Sequence, residues 1–215
     1  MNIILLGAPA SGKGTQAELL AKKFGLYLFQ TGDLSRRLAE NDERIREIVS
    51  SGKLIPQEEM TMYVLDFLHG QGQGFKNILF EGFPRFVSQY EALEKFLESK
   101  GDGIDGVISI DISEEEAVKR ISSRRICSKC GKIYNIVSNP ALGGVCECGG
   151  ELVQRADDHP EAVKVRFKYY KENTKELIDY LDSKGKLIRV NGERPIEAIQ
   201  TDLEKIVKGL QDVTS

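Results

Sequence analysis

The stretch Gly7-Ala8-Pro9-Ala10-Ser11-Gly12-Lys13-Gly14-Thr15 places four residues between its first two glycines and then a lysine. Ahead of it runs apolar Asn2 to Leu6, and behind it Leu19, Leu20 and Phe24 recur at helical spacing over Lys13 to Phe24. Strand, glycine loop and helix in that order form the context of a phosphate-binding loop. Glycines let the backbone curl so that successive N–H groups and the helix N-terminus converge on anionic oxygens, while Lys13 adds a mobile positive charge. Ala10, Ser11, Gly12, Lys13, Gly14 and Thr15 are therefore the first candidate contacts. In the usual pattern Ser or Thr follows the lysine directly; here Gly14 intervenes and the hydroxyl falls on Thr15.

Working outward, short β-rich runs recur at Leu26 to Phe29, Asn77 to Phe80, Val107 to Ile110 and Leu187 to Val190, separated by helical segments. With Asn2 to Leu6 they make five strands, and the alternation predicts an α/β fold: a five-stranded parallel sheet flanked by helices with right-handed crossovers. Helices are expected over Glu58 to Leu68 after Pro56, Gln89 to Ser99 before Gly101, Ser113 to Arg124 behind the capping box Ser113-x-x-Glu116, and Pro160 to Leu181. Two segments break the alternation and read as small inserts. Thr31 to Ile55 is helical and polar, and Arg125 to Arg155 is rich in glycine and cysteine.

The chain has 215 residues, 40% hydrophobic and 29% charged, which suits one soluble domain carrying small inserts. Its longest apolar runs fall far short of the roughly 20 residues a membrane span needs. Met1-Asn2-Ile3-Ile4-Leu5-Leu6 has no basic leader and runs straight into the loop, so it reads as a buried strand, and the expected compartment is the cytoplasm. A net charge of -3 gives no global reason to expect nucleic acid or an anionic membrane as partner.

Cys127, Cys130, Cys146 and Cys148 lie within 22 positions and no other cysteine occurs. Cys-x2-Cys followed by Cys-x-Cys presents four thiolates from two turns, the layout of a structural tetrahedral zinc site, with two disulfides or free thiols as the other readings. A lobe of about 30 residues cannot bury enough core to order itself, and a metal would supply that free energy. His69 and His159 stand beside no candidate nucleophile; His159, in Asp157-Asp158-His159-Pro160, suits a helix start.

Three clusters together resemble the adenylate kinase family: Gly12-Lys13-Gly14-Thr15-Gln16, Thr31-Gly32-Asp33-Leu34-x-Arg36 and Gly82-Phe83-Pro84-Arg85. Arg120, Arg124, the cysteine lobe, Arg155-Ala156-Asp157-Asp158 and Arg166 agree in order and approximate spacing, so the likeness runs through nearly the whole chain. In that family Gly-Lys-Gly-Thr replaces the strict loop ending. The resemblance implies a P-loop nucleoside monophosphate kinase fold in three parts. These are a core of residues 1–29, 56–123 and 157–215, an AMP-binding insert of 30–55 and a zinc-binding lid of 124–156.

It also implies reversible phosphoryl transfer from MgATP to AMP, giving two ADP, in a cytoplasmic monomer. The implied ATP contacts are Ala10 to Thr15, Arg120, Arg124, Ile133, Tyr134 and Arg194. For AMP they are Thr31, Arg36, Lys53, Leu54, Ile55, Gly82, Phe83, Pro84, Arg85 and Gln89, with Arg155 and Arg166 touching phosphates of both substrates. Lys13, Arg85, Arg124, Arg155 and Arg166 would carry the catalysis. Arginines suit it because a planar guanidinium fork binds phosphate oxygens bidentately. Glu81, where the family usually has aspartate, and Asp33 would hold Mg2+ through waters. The lid of many family members carries Cys-x2-Cys twice, or Cys-x2-Asp second; here the second pair is one residue shorter. Thr31 and Gln89 favour AMP over pyrimidine monophosphates. Two alternatives stand beside this: a kinase of another monophosphate or with GTP as donor, and a nucleotide-dependent switch whose cysteine lobe grips a macromolecule.

Overall fold

A computed structural model describes residues 1–70, 76–136, 144–155 and 158–214. β1 (Asn2–Gly7) is buried along its whole length. Such a run, with no exposed face, belongs at the centre of a parallel sheet covered on both sides. It pairs in parallel with β3 (Ile78–Glu81) and β4 (Gly106–Asp111); β2 (Tyr27–Gln30) and β8 (Leu187–Asn191) complete the order β2-β3-β1-β4-β8. The five strands expected from the sequence are these, shifted by no more than a residue or so at either end. Side chains alternate between the faces. Ile4 and Leu6 join Phe29, Phe80 and Leu93 in one core, while Ile3 and Leu5 join Leu20, Ile108 and Leu203 in the other.

The first face is covered by α4 (Gln57–Gly70), α5 (Val87–Ser99) and α8 (Lys175–Ser183), the second by α1 (Lys13–Phe24) and α9 (Ile196–Thr214). The sequence reading did not include α9, although Ile199, Leu203 and Val207 recur at helical spacing and are buried. Strand order reverses at β1, whose neighbours β3 and β4 lie on opposite sides. That leaves a crevice beyond the carboxyl ends of the strands, where open α/β sheets bind ligands.

The polar insert forms α2 (Thr31–Asn41) and α3 (Glu43–Ser50), with the Asp42 carboxylate capping α3 through the Ile45 N–H at 3.1 Å. The helix expected over Ser113 to Arg124 is shorter: α6 spans Glu114–Ser122. The hydroxyls of Ser122 and Ser123 each donate to the Lys119 carbonyl at 2.8 Å, turning the chain back. Ser113 caps α6 through the Glu116 N–H, but Glu116 pairs with Arg120 and Glu193 accepts the Ser113 N–H at 2.6 Å, so the capping box is shared with a distant residue.

Arg124 then opens β5 (Arg124–Cys127), which forms with β6 (Ile133–Asn135) and β7 (Leu152–Val153) a separate antiparallel sheet ordered β6-β5-β7. This small sheet was not foreseen, because two- to four-residue strands leave too short a pattern to read. The long helix expected over Pro160 to Leu181 is α7 (Pro160–Tyr169), a π-turn at Tyr170–Thr174 and α8. His159 starts it as expected, Nδ1 accepting the Ala162 N–H at 3.3 Å.

Candidate functional site

The loop between β1 and α1 is shaped by contacts that exclude side chains. Gly7 has φ +144°, and a Cβ there would stand 2.4 Å from the Ile110 carbonyl oxygen of neighbouring β4. Gly12, in the left-handed region at φ +93°, ends the loop and precedes α1, whose first N–H groups face the crevice end of the sheet. Lys13 Nζ donates to the carbonyls of Gly7 at 2.9 Å and Ala8 at 2.8 Å, folding back over the loop. Loss of hydration lowers its pKa to about 8; Glu81 opposes that fall, and Arg85, Arg166 and Arg124 add to it.

Above the loop lies a cleft of about 780 Å³. Ala10 to Thr15, Asp33, Arg36, Leu54, Glu81, Gly82, Pro84, Arg85, Arg120, Arg124, Ile133, Tyr134, Arg155, Arg166 and Arg194 all line it. Residues from both inserts and both ends of the core thus converge on one space. On the lobe side, Ile133 Cδ1 comes to 4.0 Å from where a Cβ of Gly14 would stand.

Most of the guanidinium groups rest on the chain's own acceptors. Arg124 and Arg166 share the fully buried Asp158 carboxylate, with Arg124 Nε at 2.7 Å, its Nη2 on the second oxygen, and Arg166 Nη1 at 3.0 Å. Arg36 pairs with Asp33 one helical turn away. Arg120 binds Glu116 at 2.7 Å and the Gly192 carbonyl at 2.9 Å, and Arg194 binds Asp202 at 2.6 Å. Arg85 Nε donates to the Gly82 carbonyl at 2.7 Å; burial lowers its pKa and Glu81 opposes the effect.

Five of the sequence-read residues are not on the cleft wall: Thr31, Lys53, Ile55, Phe83 and Gln89. Phe83 and Ile55 are core residues, 1% and 4% exposed. Gln89 is buried, its Oε1 accepting the Arg85 N–H at 2.9 Å and its Nε2 donating to the Gln57 carbonyl at 3.1 Å, so in this conformation the amide holds the Gly82–Arg85 turn. Thr31 is buried against Gly82, whose Cβ position would lie 2.4 Å from Thr31 Oγ1, and that hydroxyl has no partner among the described residues. A buried polar atom left unpaired beside a cleft suits a ligand's polar group.

Two features of the site escaped the sequence. Asp158 was quoted only within a motif, and its neighbours Ala156 and Asp157 lie outside the described residues. Glu18, on α1, faces the cleft with its pKa raised by burial and by Asp33 and Glu81. A helical glutamate carries no signal of its own; only the fold sets it beside the other two. A carboxylate that feels two others in this way suits a hydrated divalent cation.

The four cysteine Sγ atoms lie within 4.8 Å of one another, all as free thiols. Cys127 Sγ is 3.4 Å from Cys148 Sγ, and Cys130 Sγ 3.5 Å from Cys146 Sγ. Lys129 and Cys130 offer backbone N–H groups to Cys127 Sγ at 3.4 and 3.5 Å. Gly150 fits the second knuckle because a Cβ there would be 2.4 Å from Cys127 Sγ. Four thiols gathered from two knuckles fit a structural zinc ion, and the shortened Cys-x-Cys pair closes without breaking the cluster.

A family profile described as adenylate kinase matches residues 5–186. Among curated relatives, the adenylate kinase of Caldicellulosiruptor bescii is 41% identical over 98% of this chain and 99% of its own length. That of Archaeoglobus fulgidus is 39% identical over 98% and 100%, and that of Bacillus subtilis 37% identical over 98% and 100%.

Proposed function

The chain belongs to the adenylate kinase family, and from that premise we infer that it transfers the terminal phosphoryl group of MgATP to AMP, reversibly, giving two ADP. The observation that carries this reading is the single cleft, where the Gly7–Thr15 loop meets Arg36, Arg85, Arg120, Arg124, Arg155 and Arg166. Such a reaction needs positive charge over the equatorial oxygens, an in-line acceptor and exclusion of water.

In this reading Ala10 to Thr15 cradle the donor phosphates, and Lys13 exchanges the two loop carbonyls for phosphate oxygens. Arg120, Ile133, Tyr134 and Arg194 complete the donor side. Arg36, Leu54, Gly82, Pro84 and Arg85 form the acceptor side, with Thr31 offering its unpartnered hydroxyl and Lys53, Ile55 and Phe83 supporting that wall. Gln89 acts on adenine only if its amide leaves Arg85 and Gln57; otherwise it positions Arg85. Arg155 and Arg166 reach phosphates of both nucleotides and Arg124 those of ATP, with Arg124 and Arg166 trading Asp158 carboxylate oxygens for phosphate oxygens, bonds of the same geometry. The acceptor oxygen is already anionic, so no general base is required. When bound, Mg2+ withdraws charge from the phosphate oxygens; Glu81 and Asp33, with Glu18 beside them, would hold its water shell.

Residues 1–29, 56–123 and 157–215 would act as the core, 30–55 as the acceptor-side insert and 124–156 as a zinc-held lid that closes as one body and keeps water out. The protein is proposed to work as a monomer in the cytoplasm, with nucleotides as its partners rather than nucleic acid or membrane. No helix among the described residues is long and apolar enough to cross a membrane.

The test is phosphoryl transfer from MgATP to AMP, CMP, UMP and GMP by protein assayed for zinc in the same sample. ADP formation with AMP alone and one zinc per chain is expected. Transfer to CMP or UMP would overturn the roles of Thr31 and Gln89, and ATP binding without transfer to any monophosphate would overturn the kinase reading.

A further inference from the structure

Tyr134 faces two ways. It lies on the wall of the nucleotide cleft, yet it is 4% exposed and packs in a small core with Cys127, Cys146 and Leu152. Its hydroxyl donates to Cys146 Sγ at 3.3 Å in a buried contact. Its neighbour Lys132 places Nζ 5.5 Å from the Tyr134 ring centre and binds Glu147, the residue between Cys146 and Cys148, at 2.7 Å. Tyr134 of β6 and Lys132 just ahead of it therefore hold the second cysteine knuckle, while Ile133 and Tyr134 line the cleft.

The shortened pair gives this grip a purpose. In the first knuckle two successive backbone N–H groups, of Lys129 and Cys130, point at the Cys127 sulfur. In the second knuckle the corresponding N–H, of Gly149, goes to the Cys146 carbonyl at 2.8 Å, and the Tyr134 hydroxyl stands at the Cys146 sulfur. Groups that hydrogen-bond a metal's ligands orient them and set how firmly the metal is held.

We propose that Tyr134 is a positioning residue for the metal cluster that links it to the cleft, so that a filled nucleotide site holds the lobe's metal more tightly. The link is reciprocal, as any coupling between two binding sites must be. This rests on the donor-side reading given above, but its first readout does not: hydrogen bonding to Cys146 is tested on metal alone.

The experiment uses the zinc-loaded full chain and its Tyr134→Phe variant, following zinc release to a chromogenic chelator with and without a non-hydrolysable MgATP analogue. Release without nucleotide should be roughly 10- to 100-fold faster in the variant. The analogue should slow release from the parent protein and lose that effect in the variant at saturating concentration. In cobalt-substituted protein, losing the hydrogen bond should move the thiolate-to-cobalt absorption to lower energy, which a merely packing role for the ring would leave in place. Equal release rates with an unmoved cobalt band would overturn the proposal. Protection by the analogue that persists in the variant would overturn the link to the cleft. Failure of the analogue to bind the parent protein would instead count against the donor-side reading, and the metal readout would still decide the role of the hydroxyl.

Discussion

Lys13 shows how a single residue is tuned by what surrounds it. Its ammonium is dehydrated beside three arginines, with a pKa of about 8 in the free protein. Polyphosphate oxygens raise it again, so near pH 9 nucleotide binding should take up close to one proton, and near pH 6.5, where the amine is already charged, close to none. Calorimetry in buffers of different ionisation heat measures this directly, and Lys13→Met should abolish the uptake. Asp158 poses the complementary case, a carboxylate with no exposure holding two largely buried guanidinium groups. Asp158→Asn removes the counter-charge the two share and should cost about 3 kcal/mol in urea denaturation. A loss below about 0.5 kcal/mol, the range of neutral surface changes, would show that the two arginines find other partners.

Elements are placed by close approaches that only certain residues allow. β1 and β4 approach so closely at Gly7 that a methyl group would meet backbone oxygen 2.4 Å away, whereas at Gly12 nothing stands within 4 Å. Gly7→Ala should therefore cost about 3 kcal/mol or more and reduce the yield of folded protein, while Gly12→Ala should cost only about 1–2 kcal/mol of backbone strain. Comparable denaturation midpoints for the two variants would contradict this account of the loop. Elements of the core were legible because each repeats one physical rule several times over, such as the unbroken apolar run of Ile3 to Leu6 or the helical spacing of Leu19, Leu20 and Phe24. β5, β6 and β7 were not legible, since they are stabilised by one another and by the cysteines rather than by a long pattern of their own.

At the scale of the molecule, the described residues of the cysteine lobe have little apolar core beyond Tyr134, Leu152 and the cysteines themselves, while the main sheet is covered on both faces. Removing zinc with a chelator should consequently release amide protection in residues 124–136 and 144–155 and leave that of β1 and β4 intact, as followed by hydrogen exchange. Loss of protection in β1 and β4 at the same chelator concentration would mean that the metal stabilises the core as well. The cleft belongs to this scale too, because its arginines come from α2, the turn after β3, α6, β5 and α7 and from two connecting loops.

By itself the sequence determined the phosphate loop, the five parallel strands and the four-thiol cluster. Each follows from short-range sterics and hydrogen bonding within one segment, where spacing along the chain is nearly spacing in space. Only the tertiary structure decided that Arg124 meets Asp158 across 34 positions of sequence, that Gln89 spends its amide on Arg85 and Gln57, and that Glu18 joins Glu81 and Asp33. Those pairings depend on where whole elements come to rest, and charged side chains take the partners that packing brings within reach.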